Sequence, residues 1–262
     1  MINRFATWMM LAATAMTVSS PMALADTAKV PEQVRIGIEG AYPPFNYRDA
    51  AGNVIGFDVD VMNAICARKK LNCTFVLQDW DGIIPGLLVG KYDVIIGIGI
   101  TEERKKKVDF TDKYWATASR FVGRADKNWD YTAEGLKGAV IGFQSGAYQE
   151  TYAKDKFTQS ELKGYQTLEQ AYLDLAAGRI DLVFAAAIAE LNFLNSPDGK
   201  GYEHKGPDFD DPAYFGVGVG MAIRQGETGV RDVINEGIRE IRADGEYKMI
   251  NDKYFPFDVY GK

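Results

Sequence analysis

Short apolar, β-branched runs alternate with amphipathic segments twice along this chain, and that alternation confines it to an α/β fold. Val34 to Ile38 reads as a strand, Asp58 as the cap of a helix carrying Val61, Met62 and Ile65, and Cys73 to Leu77 as a second strand. Asp81 then caps a helix with Ile83, Ile84, Leu87 and Leu88, Gly90 closes it, and Tyr92 to Ile96 forms a buried strand. The result is a β-α-β-α-β unit on a parallel sheet. The pattern restarts after Arg120. Ala139 to Phe143 is a strand, Gly146 opens a helix, Thr167 caps another that stops at Gly178, and Ile180 to Phe184 is a strand. Phe215 to Ile223 reads as a long apolar strand leading into a helical segment from Val230 to Tyr254.

Residues 1–25 read as an export leader. Arg4 lies in a short polar stretch, an apolar run extends from Trp8 to Val18, and Ala23-Leu24-Ala25 supplies a small-x-small cleavage site before Asp26. That run is too short to span a bilayer, and no later segment approaches the ~20 apolar residues that crossing requires. The expectation is cleavage before Asp26 and a periplasmic product. The chain carries 30 Lys and Arg against 36 Asp and Glu, a net charge of -6, and losing the leader removes Arg4 but no acid. This balance argues against nucleic acid or an anionic membrane as partner. In an exported chain, Cys66 and Cys73 favour one local disulfide over two buried thiols. His204, the single histidine, sits between Glu203 and Lys205 and reads as a solvated loop residue. With so few soft ligands, no metal and no cofactor are expected.

Around the first strand the sequence runs Ile36-Gly37-Ile38-Glu39-Gly40-Ala41-Tyr42-Pro43-Pro44-Phe45. Glu39 and Tyr42 stand at a strand end as two groups suited to a cation. Pro43 and Pro44 stop the backbone from continuing as ladder or helix, so the segment runs over a surface. Ligands of open α/β sheets bind at the carboxyl ends of strands, often in clefts between domains. Glu39, Trp80, Gly97, Gly99 and the segment Gln144 to Gln149 all follow strands and converge on one cleft. Arg104, in Ile100-Thr101-Glu102-Glu103-Arg104, is the candidate anchor for a carboxylate, which a guanidinium grips through two parallel hydrogen bonds. Thr101 is its helix's N-cap. Taken alone, Arg104 equally begins the solvated basic run Arg104-Lys105-Lys106-Lys107.

These segments, with Gly56-Phe57-Asp58-Val59-Asp60, Asp81-Gly82-Ile83-Ile84-Pro85, Asp109-Phe110-Thr111, Leu175-Ala176-Ala177-Gly178-Arg179-Ile180-Asp181 and the terminal Lys253-Tyr254-Phe255-Pro256-Phe257-Asp258-Val259-Tyr260-Gly261, resemble the periplasmic polar amino-acid-binding proteins of ABC importers, solute-binding protein family 3. Within that family the lysine/arginine/ornithine, histidine and opine binders are most similar, and the likeness covers the whole chain after the leader. It implies a type II periplasmic binding protein: two Rossmann-like lobes joined by two crossover strands, near Ala116 to Phe121 and Asp211 to Val219. Lobe 1 would comprise 26–118 and 213–262, and lobe 2 119–212. The implied partners are a small cationic ligand and an inner-membrane ABC permease that reads the closed shape of a monomer. By position, Glu39 meets the ligand's positive end, Tyr42 and Trp80 form an aromatic slot, and Arg104 holds the α-carboxylate. Gly97, Ile98, Gly99, Gln144, Ala147 and Tyr148 complete the expected ligand-binding set.

The chain departs from its relatives on the other side of the cleft. They usually place an acid for the α-ammonium where Ala186 stands, serines at Gly97 and Gly99, and a serine or threonine at Tyr148. Burying an unpaired ammonium costs several kcal/mol. The first expectation is therefore a cationic derivative with a substituted or absent α-nitrogen, such as an opine, and the second a free basic amino acid such as arginine, ornithine or lysine. Glu190 reads as an outward helix residue, unless it reaches back to the position of Ala186. Some proteins of this fold are dehydratases and others feed chemoreceptors, but the sequence holds no nucleophile-base pair or cofactor loop, so no enzyme is expected.

Overall fold

A computed structural model describes residues 30–261; the expected leader lies outside the described residues. Strand β1 (Gln33–Ile38) is followed by a three-stranded ribbon of β2 (Ala41–Tyr42), β3 (Asn46–Arg48) and β4 (Val54–Ile55). Helix α1 (Phe57–Lys69) leads to β5 (Asn72–Leu77), and a 3-10 turn at Trp80–Gly82 opens α2 (Ile83–Leu88) before β6 (Val94–Gly99). The short α3 (Glu102–Lys105) and β7 (Val108–Phe110) follow. Next come β8 (Ser119–Arg124), β9 (Val140–Gln144), α4 (Tyr148–Lys156), β10 (Glu161–Tyr165), α5 (Leu168–Ala176), β11 (Leu182–Ala186), α6 (Ala187–Leu194) and β12 (Tyr202–Phe209). After α7 (Pro212–Phe215) the chain forms β13 (Val219–Arg224), α8 (Thr228–Ala243) and α9 (Glu246–Tyr254).

Two five-stranded sheets result, ordered β5-β1-β6-β13-β7 and β10-β9-β11-β8-β12. Each centres on a parallel trio, β1 with β5 and β6, or β9 with β10 and β11. Each trio is then extended by an antiparallel strand, β13 or β8, on which the chain arrives from the other sheet. This reciprocal exchange is the two-lobed type II architecture. The crossings touch: Trp115 and Val219 form an antiparallel bridge, and Ala116 N donates to Val259 O at 2.8 Å.

Parallel strands covered on both faces need near-continuous apolar runs. Ile36 and Ile38 of β1, Val94 and Ile96 of β6, and Val61, Met62 and Ile65 of α1 accordingly share one buried core. The long apolar strand expected from Phe215 starts only at Val219. Gly216 (φ 71°), the C-cap of α7, passes so close to the end of β6 that a Cβ there would lie 1.8 Å from Ile100 O, and the chain turns there before β13 begins. Asp58 and Asp81 do not cap: the N-caps of α1 and α2 are Gly56 and Gly82, neither with a side-chain bond.

Cys66, on α1, is disulfide-bonded to Cys73, on β5. The link pins a helix end to the strand that follows it. Its short loop corresponds to about 2.5 kcal/mol on the loop-entropy relation. Replacing both residues (Cys66→Ser with Cys73→Ser) is expected to lower unfolding stability by about that amount. Urea titration of the variant, with the reduced wild type as a control showing the same drop in midpoint, checks it.

Candidate functional site

The carboxyl ends of β1, β6 and β9 face a shared cavity of about 40 Å3. Glu39, Tyr42, Trp80, Gly97, Gly99 and Arg104 line it from one side, and Gln144, Ala147 and Tyr148 from the other. Two expected residues stand elsewhere. Ile98 points away from the cavity into the apolar cluster of Ile83 and Leu87, because alternate residues of β6 face opposite sides. Ala186 is fully buried in the core, and its neighbour Ala185 forms the wall.

At one end, Gln144 Nε2 reaches across the cavity to donate to Glu39 Oε1, and also donates to Gln166 O at 3.1 Å. Burial pushes the Glu39 carboxyl up to about 7, and the Gln144 hydrogen bond opposes that shift. Beneath this end lies a buried network that nothing in the sequence singles out. Asp58, the presumed cap, turns inward and accepts from Asn46 Nδ2 at 2.9 Å, Tyr114 OH at 2.6 Å and Trp115 Nε1 at 3.2 Å. Asn46 Oδ1 in turn accepts from Gly40 N at 2.9 Å, fixing the turn after Glu39. Asn46 and Trp115 themselves line the cavity. Gly97 (φ 76°) makes room, since a Cβ there would stand 2.6 Å from Asp58 Oδ2.

At the other end, Thr101 Oγ1 accepts from Arg104 N at 3.3 Å and caps α3. Lys105, Lys106 and Lys107 are exposed, whereas Arg104 is buried, so it does not belong to the solvated run. Its Nη1 donates to Gly99 O at 3.1 Å and its Nη2 to Gly146 O at 3.2 Å, one carbonyl from each side of the cleft. The guanidinium lies 5.5 Å from the Trp80 ring and 5.6 Å from the Tyr148 ring. Among the described residues no carboxylate forms an ion pair with it. Tyr148 also explains the glycine opposite: a Cβ on Gly99 would lie 2.5 Å from Tyr148 Cε1. The missing serine and the added ring occupy the same space.

Two sequence expectations fail beside the cavity. Glu190 does not face outward; it is fully buried on α6. His204 is not a loop residue but a half-buried member of β12, with Nε2 3.0 Å from Glu190 Oε2. A flanking Glu and Lys suggested solvent, yet Lys205 is itself buried, its Nζ donating to Ala125 O, Asn128 Oδ1 and Glu203 Oε1.

Residues 34–257 match the family described as bacterial extracellular solute-binding proteins, family 3. The L-arginine-binding protein of Pseudomonas aeruginosa is 44% identical over 232 residues, 87% of this chain and 90% of that one. The histidine-binding periplasmic protein of Escherichia coli K12 is 39% identical over 243 residues, 91% of this chain and 94% of that one. Among solved structures, a Salmonella typhimurium periplasmic binding protein, titled for its high arginine specificity, superposes with a TM-score of 0.79 at 30% identity, covering 86% of this chain and 100% of that one. With a fold, a family match over nearly all of its described residues and close relatives in agreement, the chain belongs to the bacterial extracellular solute-binding proteins, family 3.

Proposed function

We propose that this protein captures a free cationic amino acid, arginine foremost, in the periplasm and presents it to an inner-membrane ABC permease by closing two lobes, 26–118 with 213–262 and 119–212. The observation that carries this is one cavity with a buried, carboxylate-free guanidinium at one end and a half-buried carboxyl group at the other. That polarity matches a ligand with a carboxylate at its head and a cation at its tail. Arg104 receives the carboxylate, Glu39 the side-chain cation, and Tyr42 and Trp80 flank the aliphatic stem.

The relatives named for arginine and histidine replace the first expectation, an opine-like derivative, with the second, a free amino acid. These relatives are binding proteins by name, and no reaction forms part of the proposal. Titration calorimetry with arginine, ornithine, lysine and histidine tests it: tight binding of at least one supports the reading, and binding of none overturns it.

The charge on Glu39 fixes the pH dependence. Below about 7 its carboxyl is protonated, so a cation finds no counter-charge; above that pH the carboxylate is present. Affinity for arginine is expected to rise with pH through that value, by up to about tenfold per unit on the acidic side. Glu39→Gln should bind weakly and with a flat profile, as read by calorimetry across the range.

The contact between Gly99 and Tyr148 predicts non-additivity. Gly99→Ser alone crowds the Tyr148 ring and should weaken binding by about 1–3 kcal/mol, the usual cost of overpacking. Combining it with Tyr148→Ser should recover most of that loss, a coupling that a double-mutant cycle measures.

A further inference from the structure

A cationic amino acid carries three charges, and the cavity wall meets two of them, the side-chain cation with Glu39 and the carboxylate with Arg104. The α-ammonium also needs an acid. Asp58 is close, but its carboxylate is fully buried and already accepts from Asn46, Tyr114 and Trp115. Glu190 differs in one respect: it is fully buried, yet no side chain donates a well-aligned hydrogen bond to its carboxyl oxygens, which have only the Ala185 backbone and His204 beside them. His204 Nε2 approaches Oε2 to 3.0 Å without forming a hydrogen bond of normal geometry, and is itself unpartnered. Arg120, the cation on that side, is engaged by Asp208.

The carboxyl group lies beside the backbone of Ala185, which lines the cavity. The turn that follows, Ala185-Ala186-Ala187, carries nothing larger than a methyl. Helical side chains lean toward the helix N-terminus, which directs Glu190 back along α6 toward that turn. Tyr42 of the cavity wall and Tyr172, whose buried hydroxyl is also without a partner, share its electrostatic surroundings. A buried carboxyl with empty acceptor sites is costly unless a charge arrives to use it.

We propose that Glu190 is the counter-charge for the ligand's α-ammonium and therefore a specificity residue of this cavity, an inference that rests on the amino-acid reading above. It acts across the methyl-lined turn at Ala185 and Ala186, of which Ala185 lines the cavity. Burial keeps its carboxyl neutral in the empty protein, and an incoming ammonium is what favours its ionisation.

Two ligand pairs differing only in the α-amino group test this by calorimetry on the intact exported protein: arginine against δ-guanidinovalerate, and lysine against ε-aminocaproate. Wild type should prefer the α-amino member by about tenfold or more, the ratio that 1.4 kcal/mol represents. Glu190→Gln, isosteric with the neutral form, should erase that preference by weakening only the α-amino member, and Glu190→Asp should restore part of it. Equal weakening of both members in Glu190→Gln would assign Glu190 a structural role and overturn the proposal. So would unchanged arginine affinity in a variant whose thermal melt shows it folded. Equal binding of a pair by wild type overturns this proposal alone, whereas binding of none of the four compounds, nor of ornithine or histidine, overturns the amino-acid reading as well.

Discussion

A guanidinium buried without a carboxylate is the constraint around which the closed cleft is organised. Arg104 cannot lose its proton at any ordinary pH, so its burial must be offset by contacts. The protein supplies two carbonyls and two aromatic faces. Because Gly99 O lies on one side of the cleft and Gly146 O on the other, Arg104 is also a clasp between the lobes. Neutral carbonyls satisfy donors but leave the charge uncompensated. On the proposed reading, a ligand carboxylate would supply that compensation, and differential affinity would turn binding into a population shift.

The opposite end depends on a different use of buried charge. Asp58 accepts three side-chain hydrogen bonds, and those donors come from β3 and from the stretch that leads to the first crossing. Through Asn46 the network holds Gly40 N and so the turn after Glu39, and through Trp115 it reaches the crossing that bridges Val219. Even with three donors, burial holds the Asp58 carboxyl at about 6. The bottom of the cavity and the base of the hinge therefore share one polar scaffold. That scaffold fits only because residue 97 has no side chain.

The strand and helix pattern was legible because apolar periodicity is set by which faces are buried, and both sheets follow it closely. Glu39, Tyr42, Trp80 and Arg104 were legible as candidates because they follow strands whose carboxyl ends define the cleft. Asp58 was misread because an acid just after Gly56 looks the same whether it caps the helix or turns beneath the sheet. Glu190 was misread because α6 is apolar on most sides, so a single acid looks like its solvent face. His204 and Lys205 followed the same rule, polar therefore exposed, which fails where a long side chain finds three acceptors inside. Ile98 fails for a geometric reason: a strand presents alternate residues to opposite faces, so Gly97, Ile98 and Gly99 cannot all line one cavity. Ala186 is the N-cap of α6, where the chain leaves the strand.

Burial favours the neutral forms of Glu39 and Glu190 and disfavours the charged form of Arg104. On the proposed reading, a zwitterion with a cationic tail reverses each of these penalties at once, returning charge to both acids while compensating the guanidinium. A ligand missing any one group leaves its partner desolvated and unmatched, a penalty larger than the contact it forgoes. Selectivity in such a site comes less from strong attraction at any one residue than from the expense of closing around an incomplete partner. The alanines of β11 fit the same logic. If Glu190 serves the α-ammonium as proposed, the acid acts from behind the cavity wall, and the contact depends on burial and charge rather than on direct hydrogen bonding.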